Sequence, residues 1–232
     1  MRALAAEAWA FRWRVELDAE IRFERLADRL ERAGAGAVLV ELARRASRDE
    51  RRHARLCAAM AAAHGQPVPG EPPPPPLEVA PAALDEDQAL LYELVAACCV
   101  AESISVAVLT SLLAKAREPG LRAVLHELAE DEVVHARLGW AHLAVAHRRG
   151  ATPFLGPLLP AMLRGSVDDD LFQPVDPARE DPALLEAGVL PHAAKRDLLV
   201  RTLDVVIFPG LEGAGVDTGA GRAWLAEQGR AG

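Results

Sequence analysis

The segment SRDERRHARL, residues 47–56, places acidic and imidazole side chains inside an Ala-rich stretch with the composition of a buried helix. Residues three apart on a helix share a face, so Glu50 and His53 point the same way. An unpaired charge is costly to bury. These side chains therefore need a compensating partner from elsewhere in the fold.

The segment LAEDEVVHARL, residues 128–138, repeats this pattern at a fixed offset of 82 positions. Another glutamate lies 30 positions before the Glu of each Asp-Glu-x-x-His group, and these two upstream glutamates are also 82 positions apart. Two copies with one common offset indicate an internal repeat. Its members are Glu20, Asp49, Glu50 and His53 in the first copy and Glu102, Asp131, Glu132 and His135 in the second.

The choice of Glu20 in the first copy depends on the offset, because Glu16 and Glu24 lie on nearby faces of the same predicted helix. Glu20 keeps the 82-residue offset. It is also surrounded by apolar side chains at helical spacing. These are Trp13, Leu17, Phe23, Ala27 and Leu30.

The chain as a whole favours helix, because Ala, Leu, Arg and Glu dominate and aromatic residues make up only 4%. Glycines and the Glu-Pro-Gly sequence at residues 118–120 mark the ends of four long helical segments. We predict an all-α fold whose main helices cover residues 3–33, 37–64, 85–117 and 121–149.

The segment between the second and third helices, residues 65–84, contains five consecutive prolines. Such a run prefers the extended polyproline conformation, in which roughly 15 residues reach about 45 Å. A helix of about 28 residues is about 42 Å long. This segment can therefore cross the full length of the bundle, while the other two connections are short. Hairpin, crossover and hairpin make a four-helix bundle with one long crossover.

Residues 151–232 are rich in Pro, Gly and Asp before helical patterns return at 192–207 and 218–228. A break is expected at Pro209-Gly210. We therefore divide the chain into a four-helix bundle, residues 1–150, and a helical C-terminal extension packed on it.

Two antiparallel hairpins would bring the repeated side chains to one height, because a residue 30 positions back returns to the same level on the partner helix. Four carboxylates and two imidazoles would then meet in the core. Two divalent cations would neutralise the four carboxylates. Such a site is typical of di-iron and di-manganese bundles. Mixed oxygen and nitrogen ligation suits iron or manganese better than zinc.

The pattern resembles that of the ferritin-like superfamily of carboxylate-bridged di-iron proteins. Residues 49–53 are similar to the Asp-Glu-x-Arg-His motif of bacterial multicomponent monooxygenases, whereas the second copy has Val134 in place of the arginine. The resemblance implies two iron ions, or alternatively manganese or a mixed Fe/Mn pair. It implies that Asp49 and Asp131 accept hydrogen bonds from the imidazoles. The ligands that it implies are Glu20, Glu50, His53, Glu102, Glu132 and His135.

Several reactions are open to such a centre. The leading expectation is an O2-activating oxidoreductase that acts on a small organic substrate and takes electrons from an external donor. Ferroxidase or iron-storage activity is a second class, and a metal that only stabilises the fold is a further possibility. Peroxide reduction of the rubrerythrin type is a third class. The proteins of that type carry an extra Glu one turn before the third-helix ligand, where this chain has Cys99, and a CxxC module that this sequence lacks.

Charge, hydropathy and cysteine content limit the classes of partner and the cellular location that we expect. A net charge of −8 argues against nucleic acid, and Glu93 and Glu102 interrupt the most apolar run, residues 89–114, which argues against a membrane span. Three cysteines without a CxxC pair suit a reducing, cytoplasmic setting. A homodimer is possible. Cys57 and Cys98 each lie about one turn from an expected ligand, although a buried cysteine is more often a packing residue.

Overall fold

The structure is a computed structural model that describes residues 1–68, 79–167 and 170–231. Within these ranges it contains helices and no strand, which confirms the predicted all-α class. The four long helices are α1 (Arg2–Arg32), α2 (Ala37–Ala63), α3 (Glu86–Lys115) and α4 (Pro119–Arg148).

Local sequence explains where the helices begin. The Asp85 side chain accepts a hydrogen bond from the Gln88 backbone N–H, and the Gln88 side chain accepts one from the Asp85 backbone N–H, so α3 begins with a capping box. Glu118 caps α4, whose first residue, Pro119, needs no N–H partner. The short connections make α1–α2 and α3–α4 antiparallel hairpins. Most of the predicted crossover, residues 69–78, lies outside the described residues.

Helix α3 is not α-helical throughout, because Val95–Glu102 adopts the wider π conformation. This segment packs against α4 at Gly139, where an added Cβ would lie 2.5 Å from Cys98 Cβ and 3.0 Å from the Leu94 carbonyl oxygen. The absence of a side chain at this position therefore allows α3 and α4 to approach closely. The π segment ends at Glu102, one of the predicted ligands.

Helix α3 is long and apolar enough to cross a membrane by length and composition alone, but a core helix of a soluble protein passes the same test. Half of its most apolar window is buried inside the fold. Its Glu93 lies 2.9 Å from both Arg25 and Arg29 of α1. These contacts are those of a core helix in the bundle.

The C-terminal part packs its apolar side chains against the outer faces of α3 and α4. Leu203, Ile207 and Phe208 share one buried cluster with Val95 and Cys99 of the π segment. Its α- and π-helical elements are α5 (Leu159–Ser166), α6 (His192–Thr202), a π segment (Leu203–Ile207), α7 (Phe208–Gly213) and α8 (Gly219–Ala231). Short 3-10 helices cover Pro153–Leu158, Pro177–Glu180 and Pro182–Ala187.

The expected break at Pro209-Gly210 is wrong, since the chain stays helical to Gly213. Pro209 has no N–H to donate, which normally interrupts an α-helix. Here the preceding residues Leu203–Ile207 form a π segment, which changes the hydrogen-bond register just before the proline. The ring is then accommodated in the first turn of α7.

The C-terminal part also contacts the N-terminal half of α1. The Trp9 indole N–H donates to the Ala187 carbonyl oxygen at 2.9 Å. Gly188 follows with a positive φ of 73°, and a Cβ there would lie 2.8 Å from the Trp9 ring. The turn at Ala187 and Gly188 therefore restricts the position of the Trp9 ring.

Candidate metal centre

All four long helices contribute side chains to one buried polar cluster in the bundle. None of the six side chains in it is more than 7% exposed. They are Glu16 from α1, Glu50 and His53 from α2, Glu102 from the π segment of α3, and Glu132 and His135 from α4.

The cluster divides into two groups that could each hold a metal ion, with the candidate ligand atoms of each group within 4.8 Å of one another. Glu16 and His53 belong only to the first group, and Glu102 and His135 only to the second. The carboxylates of Glu50 and Glu132 belong to both. The arrangement therefore offers two adjacent sites with two shared carboxylates, as a carboxylate-bridged pair of ions requires.

In α1, the structure brings Glu16 and not the predicted Glu20 into the cluster. Glu20 instead accepts a hydrogen bond of 2.6 Å from Arg51 Nε. The fixed offset assumed that both hairpins have the same register. They do not, because only the second contains a π segment, and because Arg51 supplies a cation at the level of Glu20. The position of Arg51, directly after Glu50, is the sequence signal that could have indicated this pairing.

The other predicted ligands, Glu50, His53, Glu102, Glu132 and His135, lie in the cluster, and their role as ligands stays a prediction. The two aspartates lie behind the imidazoles, but each contacts the histidine of the other repeat copy. His53 Nε2 is 3.2 Å from Asp131 Oδ2, and His135 Nε2 is 3.5 Å from Asp49 Oδ2. Each Nδ1 therefore faces the carboxylates of the cluster.

Arginines compensate the outer acids. Arg52 donates to Asp49 at 2.9 Å, to Asp131 at 2.5 Å and to Glu127 at 2.7 Å. Arg45 adds a contact of 3.3 Å to Asp49. Through these contacts Arg52 joins α2 to α4 and fixes the two aspartates that face the imidazoles.

The inner carboxylates have no such cations: within the described ranges, no arginine or lysine forms an ion pair with any of the four. Burial, together with the neighbouring Glu50 and Glu132 charges, raises the pKa of Glu16 to about 8. Burial and the same two neighbours raise the pKa of Glu102 well above its usual value. Burial lowers the pKa of His53, but contacts with Glu16 and Glu50 outweigh this and raise it to about 11.

These shifts indicate that the cluster needs positive charge. Glu50 Oε1 is buried without a hydrogen bond, although it lies 2.9 Å from His135 Nδ1. An oxygen in this position is available as a metal ligand. Four carboxylates and two imidazoles are also a donor set that suits iron or manganese. The residues present therefore fit a pair of divalent ions.

Two further side chains border the cluster. Ser105 Oγ, one turn after Glu102, donates to Glu132 Oε1 at 3.2 Å. Cys57 Sγ lies 4.0 Å from Glu16 Oε1, as its spacing from His53 suggested. Cys98 packs in the apolar core beside Gly139.

Comparison with known proteins agrees with this geometry. A family model described as Rubrerythrin matches residues 10–141, which is more than half of the chain and includes all six clustered side chains. No curated protein and no solved structure matches this chain.

Proposed function

Since this chain belongs to the rubrerythrin family, whose members bind a di-iron centre, we propose that it is an O2-activating oxidoreductase that oxidises a small organic substrate. Family membership confirms the resemblance to ferritin-like di-iron proteins and the expectation of two iron ions. The reaction and the individual ligands go beyond what the family implies.

The composition of the two groups is the observation that carries this proposal. Each group has three carboxylates and one imidazole, and the described residues add no further carboxylate to either. Proteins of the peroxide-reducing type have an extra Glu one turn before the third-helix ligand. Cys99 occupies that position here, and it packs in the apolar cluster shared with the C-terminal part. This difference favours O2 activation.

A bound iron pair would supply the electrons that reduce O2. The chain would hold the pair through Glu50 and Glu132, which belong to both groups, and through Nδ1 of each histidine. Asp131 would keep the proton of His53 on Nε2, so that Nδ1 stays free to ligate. The Ser105 hydroxyl would donate a hydrogen bond to Glu132 Oε1. Apolar helix faces around the cluster would exclude water.

Peroxide reduction is the second candidate, because it fits the family match equally well. In that reaction one H2O2 takes two electrons and two protons and yields two water molecules. The same cluster could serve it, with the electrons coming from a separate protein. The two candidates differ in the oxidant that the reduced centre prefers.

The deciding experiment begins with anaerobic loading of Fe(II) to two ions per chain. Rapid mixing with O2 and, separately, with H2O2 then compares the rates at which Fe(II) is oxidised. Faster reaction with O2 supports the proposal, whereas a reaction with H2O2 that is much faster than that with O2 supports the second candidate. Continued oxidation of iron added far beyond two per chain, into a soluble mineral, would instead indicate storage.

Glu132→Gln and Glu130→Gln provide a matched pair for this assay. Glu132 is buried and shared by both groups, while Glu130 is largely exposed on the same helix. Loss of Fe(II) oxidation in the first variant alone is expected. Equal activity in both variants would place the reaction elsewhere. An external electron donor, a cytoplasmic location and a homodimer stay predictions.

A further inference from the structure

Arg12 is a partly buried cation without an acidic partner among the described residues. Its guanidinium lies over the Trp9 ring, 5.7 Å from the ring centroid. Its Nη1 atom is buried and has no hydrogen-bond partner. A guanidinium stays charged at any physiological pH, and a buried donor without a partner is unfavourable. Arg12 Nη1 can therefore donate a hydrogen bond to an acceptor from outside the described part of the chain.

Other arginines that reach the bundle interior are paired with acids. Arg25 and Arg29 both contact Glu93 at 2.9 Å. Arg52 contacts Asp49 and Asp131. Arg25 Nε is also buried without a hydrogen-bond partner, but Arg25 has the Glu93 carboxylate. Since buried polar groups in folded proteins normally have partners, Arg12 differs from these arginines in having no acid at all among the described residues.

Arg12 lies next to the metal cluster. It is four residues before Glu16 on α1, and side chains four apart on a helix are neighbours, with Cβ atoms about 6 Å apart. Cys57 supports the same placement: its thiol lies 4.0 Å from Glu16 Oε1, and it shares a buried apolar cluster with Trp9, the ring beneath the Arg12 guanidinium. Arg12 is thus near the group formed by Glu16, Glu50, His53 and Glu132.

The charge balance at this end of the cluster favours an anion. Two divalent ions would neutralise the four carboxylates, and the histidines would be neutral ligands. The charge of Arg12 would then leave a surplus of one positive charge. A carboxylate carries one negative charge and matches the planar guanidinium edge, whereas a phosphate dianion would overcompensate.

The C-terminal part contributes to the position of Arg12 through Trp9. The ring beneath the guanidinium is held by its hydrogen bond to the Ala187 carbonyl oxygen and by the close approach of Gly188. Side chains from the same region, Leu190 and Leu198, share an apolar cluster with Trp9. This gives the residues after the bundle a role at the site.

We propose that Arg12, held over Trp9, binds the carboxylate of an organic-acid substrate beside the Glu16 end of the metal cluster. This inference rests on the proposed function, because it assumes that the metal pair is bound. It names the substrate class as small organic acids. Arg12 sets specificity and takes no part in the redox step.

The test measures acetate binding to the full chain loaded anaerobically with Fe(II), after metal analysis, by isothermal titration calorimetry at pH 7. Arg12→Gln should weaken acetate binding about ten-fold, since a hydrogen bond to a charged group contributes a factor of that order. Arg14→Gln is the matched control, because Arg14 lies over the Phe11 ring in the same way but on the exposed face of α1. Acetamide, which is neutral, should not bind.

Arg12→Lys keeps the charge, so it should retain part of the affinity even where Arg12→Gln folds poorly. Equal acetate binding by wild type and both Arg12 variants, or no acetate binding by a wild type that holds two irons, overturns the inference and leaves the proposed function standing. A wild type that binds no iron overturns the proposed function, and the inference falls with it.

Discussion

His53 Nε2 lies 3.2 Å from Asp131 Oδ2, so the imidazole of the first hairpin is held by a carboxylate of the second. The contact between His135 and Asp49 crosses in the opposite direction, at 3.5 Å. The hydrogen bond to Asp131 therefore orients His53 from the other hairpin, whereas Asp49 faces His135 at a longer distance without a hydrogen bond. Ligand geometry at the cluster consequently depends on the packing of α2 against α4.

Separate substitution of the two candidate glutamates of α1 should distinguish their roles. Glu16→Gln removes a ligand from the first group, and we expect iron content to fall from two to about one per chain. Glu20→Gln breaks only the pair with Arg51 and should keep both ions. Metal analysis after anaerobic loading and desalting provides the measurement. Loss of iron in Glu20→Gln with full loading of Glu16→Gln would reverse the assignment.

Removal of the Arg52 guanidinium should weaken metal binding at a distance. Arg52→Gln removes the shortest contacts to both aspartates behind the imidazoles and leaves only the longer contacts of Arg45. Loss of such outer contacts typically costs about 10–100-fold in metal affinity. Arg48→Gln is the control, because Arg48 forms an exposed pair with Glu41, at 2.8 Å. Competition with a chelator measures both affinities. Similar affinities for the two variants would show that the aspartates keep their orientation without Arg52.

A methyl group at Gly139 should disturb the cluster by separating α3 from α4. An added Cβ would lie 2.5 Å from Cys98 Cβ, and overpacking of this kind typically costs about 1–3 kcal/mol. Gly165→Ala is the control, because an added Cβ there has no neighbour within 4 Å, and alanine favours helix by up to about 1 kcal/mol. Denaturant unfolding gives both stabilities. A Gly139→Ala variant as stable as Gly165→Ala would contradict the close packing.

The stability of the metal-free protein should fall as pH rises. The pKa of Glu16 is raised from 4.5 to about 8, so its contribution is fully present below about pH 4.5 and is lost as pH rises to about 8. The pKa of His53 is raised from 6.5 to about 11, so its contribution is present below about pH 6.5 and is lost as pH rises towards 11. The contributions of Glu16 and His53 to the free energy of unfolding are therefore both partly lost by pH 8.

Bound metal replaces the protons that these groups would otherwise hold. The Tm difference between iron-loaded and metal-free protein should therefore increase from pH 5 to pH 8, as measured by anaerobic scanning calorimetry. Glu16→Gln removes one carboxyl group that loses its proton between pH 5 and pH 8. The metal-free form of this variant should therefore lose less stability than the metal-free wild type over that pH interval. A difference in Tm that is constant with pH would mean that the cluster is not protonated without metal.

The sequence by itself determined the class of fold and most of the cluster. The spacing of Glu50 to His53 and of Glu132 to His135 places each pair on one helix face, because the helical period is fixed by local geometry. The repeated offset and the short connections then predicted two hairpins that bring acids together in a bundle. Those features depend on residues close in sequence.

Only the tertiary structure decided the register between helices. Glu16 and Glu20 lie on the same face of α1 one turn apart, and the pairing of Glu20 with Arg51 settles which of them enters the cluster. The π segment of α3 and the crossed contacts behind the histidines also arise only when the hairpins pack. Periodicity determines the direction of a side chain, whereas its height and its competing partners are set by the neighbouring helices.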